Sequence, residues 1–410
     1  MSKKIVVIGG GAAGMMAAVF AARQGADVTL IEPNERLGKK VNITGKGRCN
    51  VTNNCALEEL LRNVPGNGRF LYSAFSKFDG RDAMAFFEEL GVPLKTERGS
   101  RVFPVSDCAF DVTAALEREL RRRGVQVIRD RALNVETAEG RVAAVRGERR
   151  RYEASAVILA TGGVSYPATG STGDGYRIAA ALGHTVAPPH GSLVPLVSPD
   201  PCCQAMQGLA LKNVTVTVED GQGRRLFREL GEMLFTHFGV SGPLILSASA
   251  RMREAETGTC RLLIDLKPGL DEQKLDARIL RDINESPNRD FEKIVSGLVP
   301  HSMVAVLCRR LEIPDTLKAH SLTRQQRRDL VRMLKHFAIE ITDRRPVEEA
   351  IVTAGGVNVG EVQPATMESK LVRGLYFAGE ILDVDAYTGG FNLQIAWATG
   401  RQAGLCAARE

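Results

Sequence analysis

The chain opens on an uninterrupted β-branched run, Ile5-Val-Val-Ile8, then glycines, then residues of helical composition from Ala12 to Gln24. An apolar run without polar alternation suits a parallel strand buried on both faces, and Gly25 stands where the helix would end. Asp27-Val-Thr-Leu-Ile-Glu32 predicts a second strand, so the first stretch of the chain forms a strand–helix–strand unit. From Gly38 to Asn54 the periodicity lapses into a long glycine- and asparagine-rich loop, a form that favours ligand binding. It resumes as helices over 81–90 and 112–123, strands over 126–151 that turn at Glu139-Gly140, and a buried strand Ala156-Val-Ile-Leu-Ala160 running into Thr161-Gly162-Gly163.

The pattern changes after Gly183. Prolines at 188, 189, 195, 199 and 201 mark a linker. Beyond it Val214-Thr-Val-Thr-Val218 alternates and turns at Asp220-Gly221, and 261–266 reads as another strand, which together predict a mostly β domain. Residues 271–337 are polar with apolar positions at helical spacing (Leu275, Ile279, Ile283, later Leu330, Met333, Leu334, Phe337), the pattern of a small helical bundle. Near the C-terminus Gly374 to Glu380 ends a strand, and a last helix starts near Gly390.

Composition adjusts this picture modestly. At 410 residues, 44% hydrophobic and 25% charged, the chain is a globular protein too long for one small core. Its charge of +6, from 54 basic and 48 acidic residues, is diffuse and argues against nucleic acid or an anionic membrane as partner. Eight cysteines without a ladder of spacings argue against a disulfide scaffold or structural zinc and point to a reducing cytoplasm. The uncharged stretch 5–22 behind Lys3 and Lys4 begins as a leader or membrane span would, but glycines at 9, 10, 11 and 14 break it.

Gly9-x-Gly11-x-x-Gly14 between strand and helix, with Glu32 closing the second strand, carries the first chemistry. One glycine permits the turn, one lets a pyrophosphate approach the backbone, and one lets the helix pack on the strand; Glu32 can accept ribose hydroxyls. This fingerprint does not separate NAD from FAD. Ala378-Gly379-Glu380 at the end of a late strand suits the ribityl and phosphate end of a flavin. The helix opened by Gly389-Gly390-Phe391-Asn392-Leu393-Gln394 could turn its N–H groups to the flavin ring.

At these residues the chain resembles the BaiN/YhiN-like flavoproteins, bacterial FAD enzymes on the plan of glutathione reductase without its separate pyridine nucleotide domain. The resemblance runs through GGGAAG at 9–14, NITGKGRCNVTN at 42–53, ATGG at 160–163, GSTGDGY at 170–176, LFTHFGVSGP at 234–243, TAGGV at 353–357, TMESK at 366–370, and GLYFAGE with GGFNLQIAWATG at 374–400. It implies an α/β fold in which a Rossmann-like FAD-binding domain, 1–190 with 345–410, is interrupted by a β-rich, barrel-like domain (191–268 and 338–357) and a helical insert (269–337). The implied cofactor site comprises Gly9, Gly11, Ala13, Gly14, Glu32, Lys40, Gly45, Gly47, Arg48, Cys49, Asn50, Thr161, Gly162, Gly379, Glu380, Gly390, Phe391 and Asn392. Cys49 and its nearest cysteine, Cys55, are six residues apart, which departs from the redox pair of glutathione reductase and leaves Cys49 as a plain loop thiol.

His237, Tyr166 and Tyr387 are the candidate catalytic groups, the tyrosines as acids for the carbon next to a carbonyl. The implied activity is flavin-mediated hydride transfer to an activated carbon–carbon double bond, as in a steroid or bile-acid enone, with NAD(P)H as transient donor. The alternatives are an oxidase of an amine or amino ketone, and a flavoprotein acting on tRNA. No second GxGxxG offers a dinucleotide site, since Gly221-x-Gly223 reads as a hairpin turn. The expected partner is a small-molecule substrate, with no nucleic acid and no membrane, and the expected assembly a monomer or homodimer.

Overall fold

The computed structural model describes residues 2–252 and 260–409. It divides into two compact units, one formed by the chain up to Ser192 together with the stretch from Pro346, the other by Leu193–Arg345.

The first unit is built on a five-stranded parallel sheet. Its strands are β1 (Lys4–Ile8), β2 (Asp27–Glu32), β3 (Gln126–Arg129), β4 (Ala156–Leu159) and β5 (Leu375–Phe377), in the order β5-β4-β1-β2-β3. The register pairs Ile5 with both Val28 and Ala156, so the first apolar run lies at the sheet's centre, where both faces are buried. Helix α1 (Ala12–Arg23) is small and apolar on nearly every side, with Ala13 to Ala21 all buried, as suits a helix covered all round. It packs in one core with the last helix, α2 (Phe391–Arg409). Trp397 of α2 is fully buried, and its indole N–H donates to the Val51 carbonyl at 2.8 Å. Its replacement by alanine would cost about 3–5 kcal/mol through the cavity left behind. The hairpin expected at Glu139-Gly140 is present, both residues holding positive φ between strands Ala132–Ala138 and Arg141–Gly147.

The proline-rich stretch is not a free linker. Val186–Ser192 is a strand paired antiparallel with Val352–Val357, and its register shifts between Ala187 and His190, around Pro188 and Pro189. Proline has no N–H to give to a ladder, so it is tolerated where the pairing is interrupted. Strand Val352–Val357, which the expected bounds share between the FAD-binding and β-rich domains, lies in the first unit.

In the second unit a seven-stranded antiparallel sheet runs in the order Phe337–Ile341, Cys260–Asp265, Ala210–Glu219, Arg225–Thr236, Gly239–Ser241, Leu196–Val197, Asp343–Arg344. Helices Glu272–Glu285, Phe291–Ser296, His301–Leu311 and Arg324–Lys335 belong to the same unit. The sequence pattern suggests a separate helical insert. In the structure Leu275, Ile279, Ile283, Leu330 and Leu334 share one core with Val216, Leu262 and Ile264 of the sheet. An apolar helix stripe and an alternating strand each need a partner surface, and here each supplies the other's.

Candidate cofactor cleft and active site

The turn after β1 shows why its glycines are needed. Gly9 holds φ +106°, and a Cβ on Gly14 would fall on the Gly9 carbonyl oxygen, so α1 can close onto the turn only without a side chain there. Gly11 differs, since a Cβ there would meet no protein atom within 4 Å. Its backbone borders a cleft of about 1040 Å³ to which Gly9, Ala13, Glu32, Lys40, Thr161, Gly162, Glu380 and Asn392 also contribute. The free N–H groups at the start of α1 make this turn suited to an anion.

Glu32, at the end of β2, is buried and fixed by three donors: the Gly10 N–H at 2.7 Å, the Asn34 N–H at 2.9 Å and the Asn34 side-chain amide at 2.7 Å. An ionised carboxylate accepts about four hydrogen bonds, so capacity remains for a ligand hydroxyl. Asn34 lies outside the glycine fingerprint, and its place two residues past Glu32 is the only sequence signal for it.

Lys40 and Glu380 meet although 340 positions separate them. The Lys40 Nζ lies 2.8 Å from both Glu380 carboxylate oxygens and 2.6 Å from the Ser165 hydroxyl. Glu380 also accepts from the Thr353 N–H at 2.8 Å and from Ser165 at 3.0 Å. Burial pushes the Glu380 carboxyl up, and the Lys40 ammonium with these donors more than offsets it, holding the group below its ordinary range. Ser165 and Thr353 adjoin or lie within the ATGG and TAGGV motifs, but which hydroxyl turns inward is decided by the fold.

Among the described residues, the buried oxygens without a hydrogen-bond partner in the protein include the Thr161 hydroxyl, the Asn50 side-chain carbonyl and the Thr236 hydroxyl. Thr161 lines the cleft. Its unmet hydroxyl, the open space at Gly11 and the remaining capacity of Glu32 fit a bound dinucleotide.

Of the 42–53 loop, Thr44 borders the cleft, as does Lys40, whereas Gly45, Gly47, Arg48, Cys49 and Asn50 do not. Arg48 pairs with Glu97 and Asp107, and its guanidinium lies 4.2 Å over the Phe103 ring. Those carboxylates raise the affinity of Arg48 for its proton, and they arrive from a strand and a turn about fifty residues away that no local motif announces. Cys49 is fully buried and makes no disulfide, and burial pushes its thiol up to about 12, which keeps it protonated at neutral pH.

The end of the loop is clasped by the start of α2. The Asn53 amide donates to the Gly389 carbonyl at 3.0 Å and the Thr52 hydroxyl to the Gln394 side chain at 2.7 Å. Asn392 borders the cleft, and its amide brackets Ala386 by accepting from its N–H and donating to its carbonyl. Gly14, Gly379, Gly390 and Phe391 are not among the residues that line the cleft. Tyr166 holds φ +51° and is partly exposed; Tyr387 is buried, its N–H donating to the Asn63 carbonyl at 2.9 Å; neither lines the cleft. His237 belongs to the second unit, in the turn between Arg225–Thr236 and Gly239–Ser241, with its ring edge-on to Phe238 at 5.0 Å. Among the described residues no cluster of His, Cys, Asp and Glu could hold a metal, and no helix is long and apolar enough to cross a membrane.

Comparison with known proteins places this geometry. A 3-dehydro-bile acid Δ(4,6)-reductase of Clostridium scindens is 34% identical over 416 residues, covering 99% of each chain. Ribosomal RNA dihydrouridine synthases of Escherichia coli and Haemophilus influenzae are 32% and 30% identical, covering 96% and 99% of this chain and 95% and 98% of theirs. Among solved structures, a 3-ketosteroid Δ4-(5α)-dehydrogenase of Rhodococcus jostii aligns with a TM-score of 0.55 at 16% identity, covering 100% of this chain and 97% of its own. A 3-ketosteroid Δ1-dehydrogenase of Sterolibacterium denitrificans aligns at 0.54 and 14%, covering 99% and 100%. At such identities these two describe the fold alone. The family model for the HI0933-like protein Rossmann domain matches residues 3–406, and the chain therefore belongs to the HI0933-like family of oxidoreductases.

Proposed function

We propose that this protein is an FAD-dependent reductase of a carbon–carbon double bond conjugated to a carbonyl, with NAD(P)H as electron donor. The observation that carries the reading is the cleft at Gly11, where open space, the spare acceptor capacity of Glu32 and the unmet Thr161 hydroxyl converge. FAD, when bound, would supply the hydride for the β-carbon. The N–H groups of the 9–13 turn would hold its pyrophosphate, Glu32 its ribose hydroxyl, and Thr161 and Asn392 would complete the polar lining. The Lys40–Glu380 pair keeps a compensated charge at the cleft wall, so a neutral isoalloxazine faces no net local charge from it. A proton must reach the α-carbon of the substrate, and His237, Tyr166 and Tyr387 are the groups we assign to that search.

The conjugated double bond is common to a bile-acid enone and to the 5,6 bond of uracil, the chemistries named for the relatives. The reading with a small enone follows the 34% identical relative. A second reading, uracil within RNA, follows the two dihydrouridine synthases, against the expectation from net charge. It draws on Arg324, Arg328 and Arg332, which lie exposed one helical turn apart on helix Arg324–Lys335. Backbone phosphates need such charges and no interleaved aromatics.

The test is anaerobic. Flavin-loaded protein reduced by NADH or NADPH is mixed with a 3-oxo-Δ4 steroid or with uridine-containing RNA, and reoxidation is followed with product analysis. His237→Ala, Tyr166→Phe and Tyr387→Phe are carried through the same assay. A true acid loses roughly 10²–10⁴-fold in the substrate step with flavin content and donor reduction kept. Reduction by an amine, with reoxidation by oxygen alone, would replace this reading with that of an oxidase.

A further inference from the structure

A second concavity lies in the first unit, outside the residues assigned to the cleft. It is an open groove of about 930 Å³ lined by Leu61, Arg62, Val64, Arg69 and Tyr72 with two glycines. The local sequence explains its shape. Helix Leu57–Arg62 stops at Asn63, Pro65 and Gly66 hold the chain open, and a 3-10 turn at Gly68–Leu71 brings Arg69 and Tyr72 back beside Arg62. Leu61 and Val64 form an apolar floor, and the Tyr72 ring stands 58% exposed, an unusual surface position for so large a side chain. Arg62 and Arg69 are both exposed, and neither pairs with a carboxylate among the described residues.

An apolar floor, an exposed aromatic face and two guanidiniums without a carboxylate partner, Arg62 keeping one bond to the Glu58 carbonyl, complement one kind of ligand, a planar base carrying phosphate. The groove is also tied to the cleft. Asn63 accepts from the Tyr387 N–H at 2.9 Å, and the Asn67 amide donates to the Asp383 carbonyl at 2.7 Å. Val384 and Asn392 of that same segment line the cofactor cleft. A ligand with one end in the groove and one in the cleft would therefore run along a single stretch of chain. The sequence holds no second glycine fingerprint, and the Gly221-x-Gly223 match is the tip of the hairpin between Ala210–Glu219 and Arg225–Thr236.

We propose that this groove holds the adenosine-phosphate half of the nicotinamide dinucleotide donor, with the adenine on Tyr72 and phosphate on Arg62 and Arg69. The proposal rests on the reading that NAD(P)H reduces the bound flavin, and its test separates the two. Binding of ADP and 2′,5′-ADP to the flavin-loaded protein is measured by calorimetry, and anaerobic flavin reduction is measured against NADH and NADPH concentration. The variants are Arg62→Ala with Arg69→Ala, Arg62→Lys with Arg69→Lys, Tyr72→Ala and Tyr72→Phe. All three positions are exposed, so melting temperature and flavin content serve to exclude misfolding.

The expected result is that the double alanine variant weakens fragment binding and raises the donor concentration for half-maximal reduction, each by about tenfold or more. Lysines should restore part of it, and Tyr72→Phe should keep the stacking that Tyr72→Ala loses. Binding in the wild type should weaken as salt rises. Fragment binding that is absent, or unchanged in the alanine variants, overturns the groove as a nucleotide site. Fragment binding lost without any change in donor dependence overturns the donor as its occupant, as does loss of RNA binding alone. Fragments that bind a wild type whose flavin neither dinucleotide reduces would instead refute the NAD(P)H reading above.

Discussion

The two halves of the cofactor cleft are built by different means. Around Gly9 to Glu32 every group comes from one strand–helix–strand unit, and the glycines, the N–H groups and the carboxylate follow from about twenty-five consecutive residues. Around Lys40, four groups converge from segments that share no motif: Lys40, Ser165, Thr353 and Glu380. The first half is local geometry holding an opening for a ligand. The second is a buried charge network satisfied within the protein. Changes at the ligand-facing groups of the first half, Gly11 and Glu32, should therefore act mainly on cofactor binding, and changes in the second half on stability.

The largest expected effect is in the network. Lys40→Met leaves the Glu380 carboxylate buried without its cation and should cost about 3 kcal/mol of unfolding free energy, the low end for breaking a buried pair because both side chains keep some exposure. Lys40→Met with Glu380→Gln should recover part of that loss, a coupling that denaturant melts of the four proteins would measure. A double change that costs the sum of the two single changes would show that the pair acts as two independent groups.

Next come the glycines, which sharpen the contrast inside the fingerprint. Gly14→Ala drives a methyl group into the Gly9 carbonyl and should destabilise the fold by about 1–3 kcal/mol, as overpacking does. Gly11→Ala meets no protein atom, so its melting temperature should stay near that of the wild type while flavin affinity falls about tenfold or more, equivalent to about 1.4 kcal/mol. Equilibrium dialysis of flavin beside thermal melts separates the two. A Gly11 variant that binds flavin normally would remove the pyrophosphate from this turn.

A smaller loss is expected for Glu32→Gln, which exchanges charge-assisted hydrogen bonds for neutral ones and should weaken flavin binding by about 0.5–1 kcal/mol. Because an amide nitrogen cannot accept from Gly10 or Asn34, a minor stability loss should accompany it.

The smallest is a dependence on pH. The Glu380 carboxyl is held below its ordinary value of 4.5, so the folded state releases this proton more readily than the unfolded chain. Its contribution is full above about pH 4.5 and is lost as pH falls through the depressed value, since only the unfolded state takes up the proton first. Melts at about pH 6 and about pH 3 should show this loss in the wild type and less of it in Lys40→Met. An unchanged acid dependence in that variant would mean that other donors hold the carboxylate.

The same contrast explains what was legible in the sequence. The parallel sheet and Gly9, Gly11, Gly14 and Glu32 could be read because each depends on neighbours a few positions away. Asn34 was the one omission there, a side chain that reaches back two residues. The 42–53 motif carries no signal for the partners of Arg48, which are Glu97 and Asp107, and of that loop Thr44 borders the cleft. Glycines with positive φ at 45 and 47 shape that loop. The helices of 271–337 looked separate because their composition differs from the strands, whereas composition carries no information on whose apolar face covers whose. The prolines at 188 and 189 looked like a linker because a bulged strand and a linker both accommodate them.

The central claim is tested most directly by one stopped-flow measurement. Flavin-loaded protein is reduced anaerobically to completion and mixed with a conjugated enone, and the return of the oxidised flavin spectrum is compared with the saturated product formed. The account predicts reoxidation with one product molecule per flavin, from the steroid or from the uracil of RNA. Reduced flavin that stays reduced before both acceptors, or a chain that takes up no FAD at all, would contradict it.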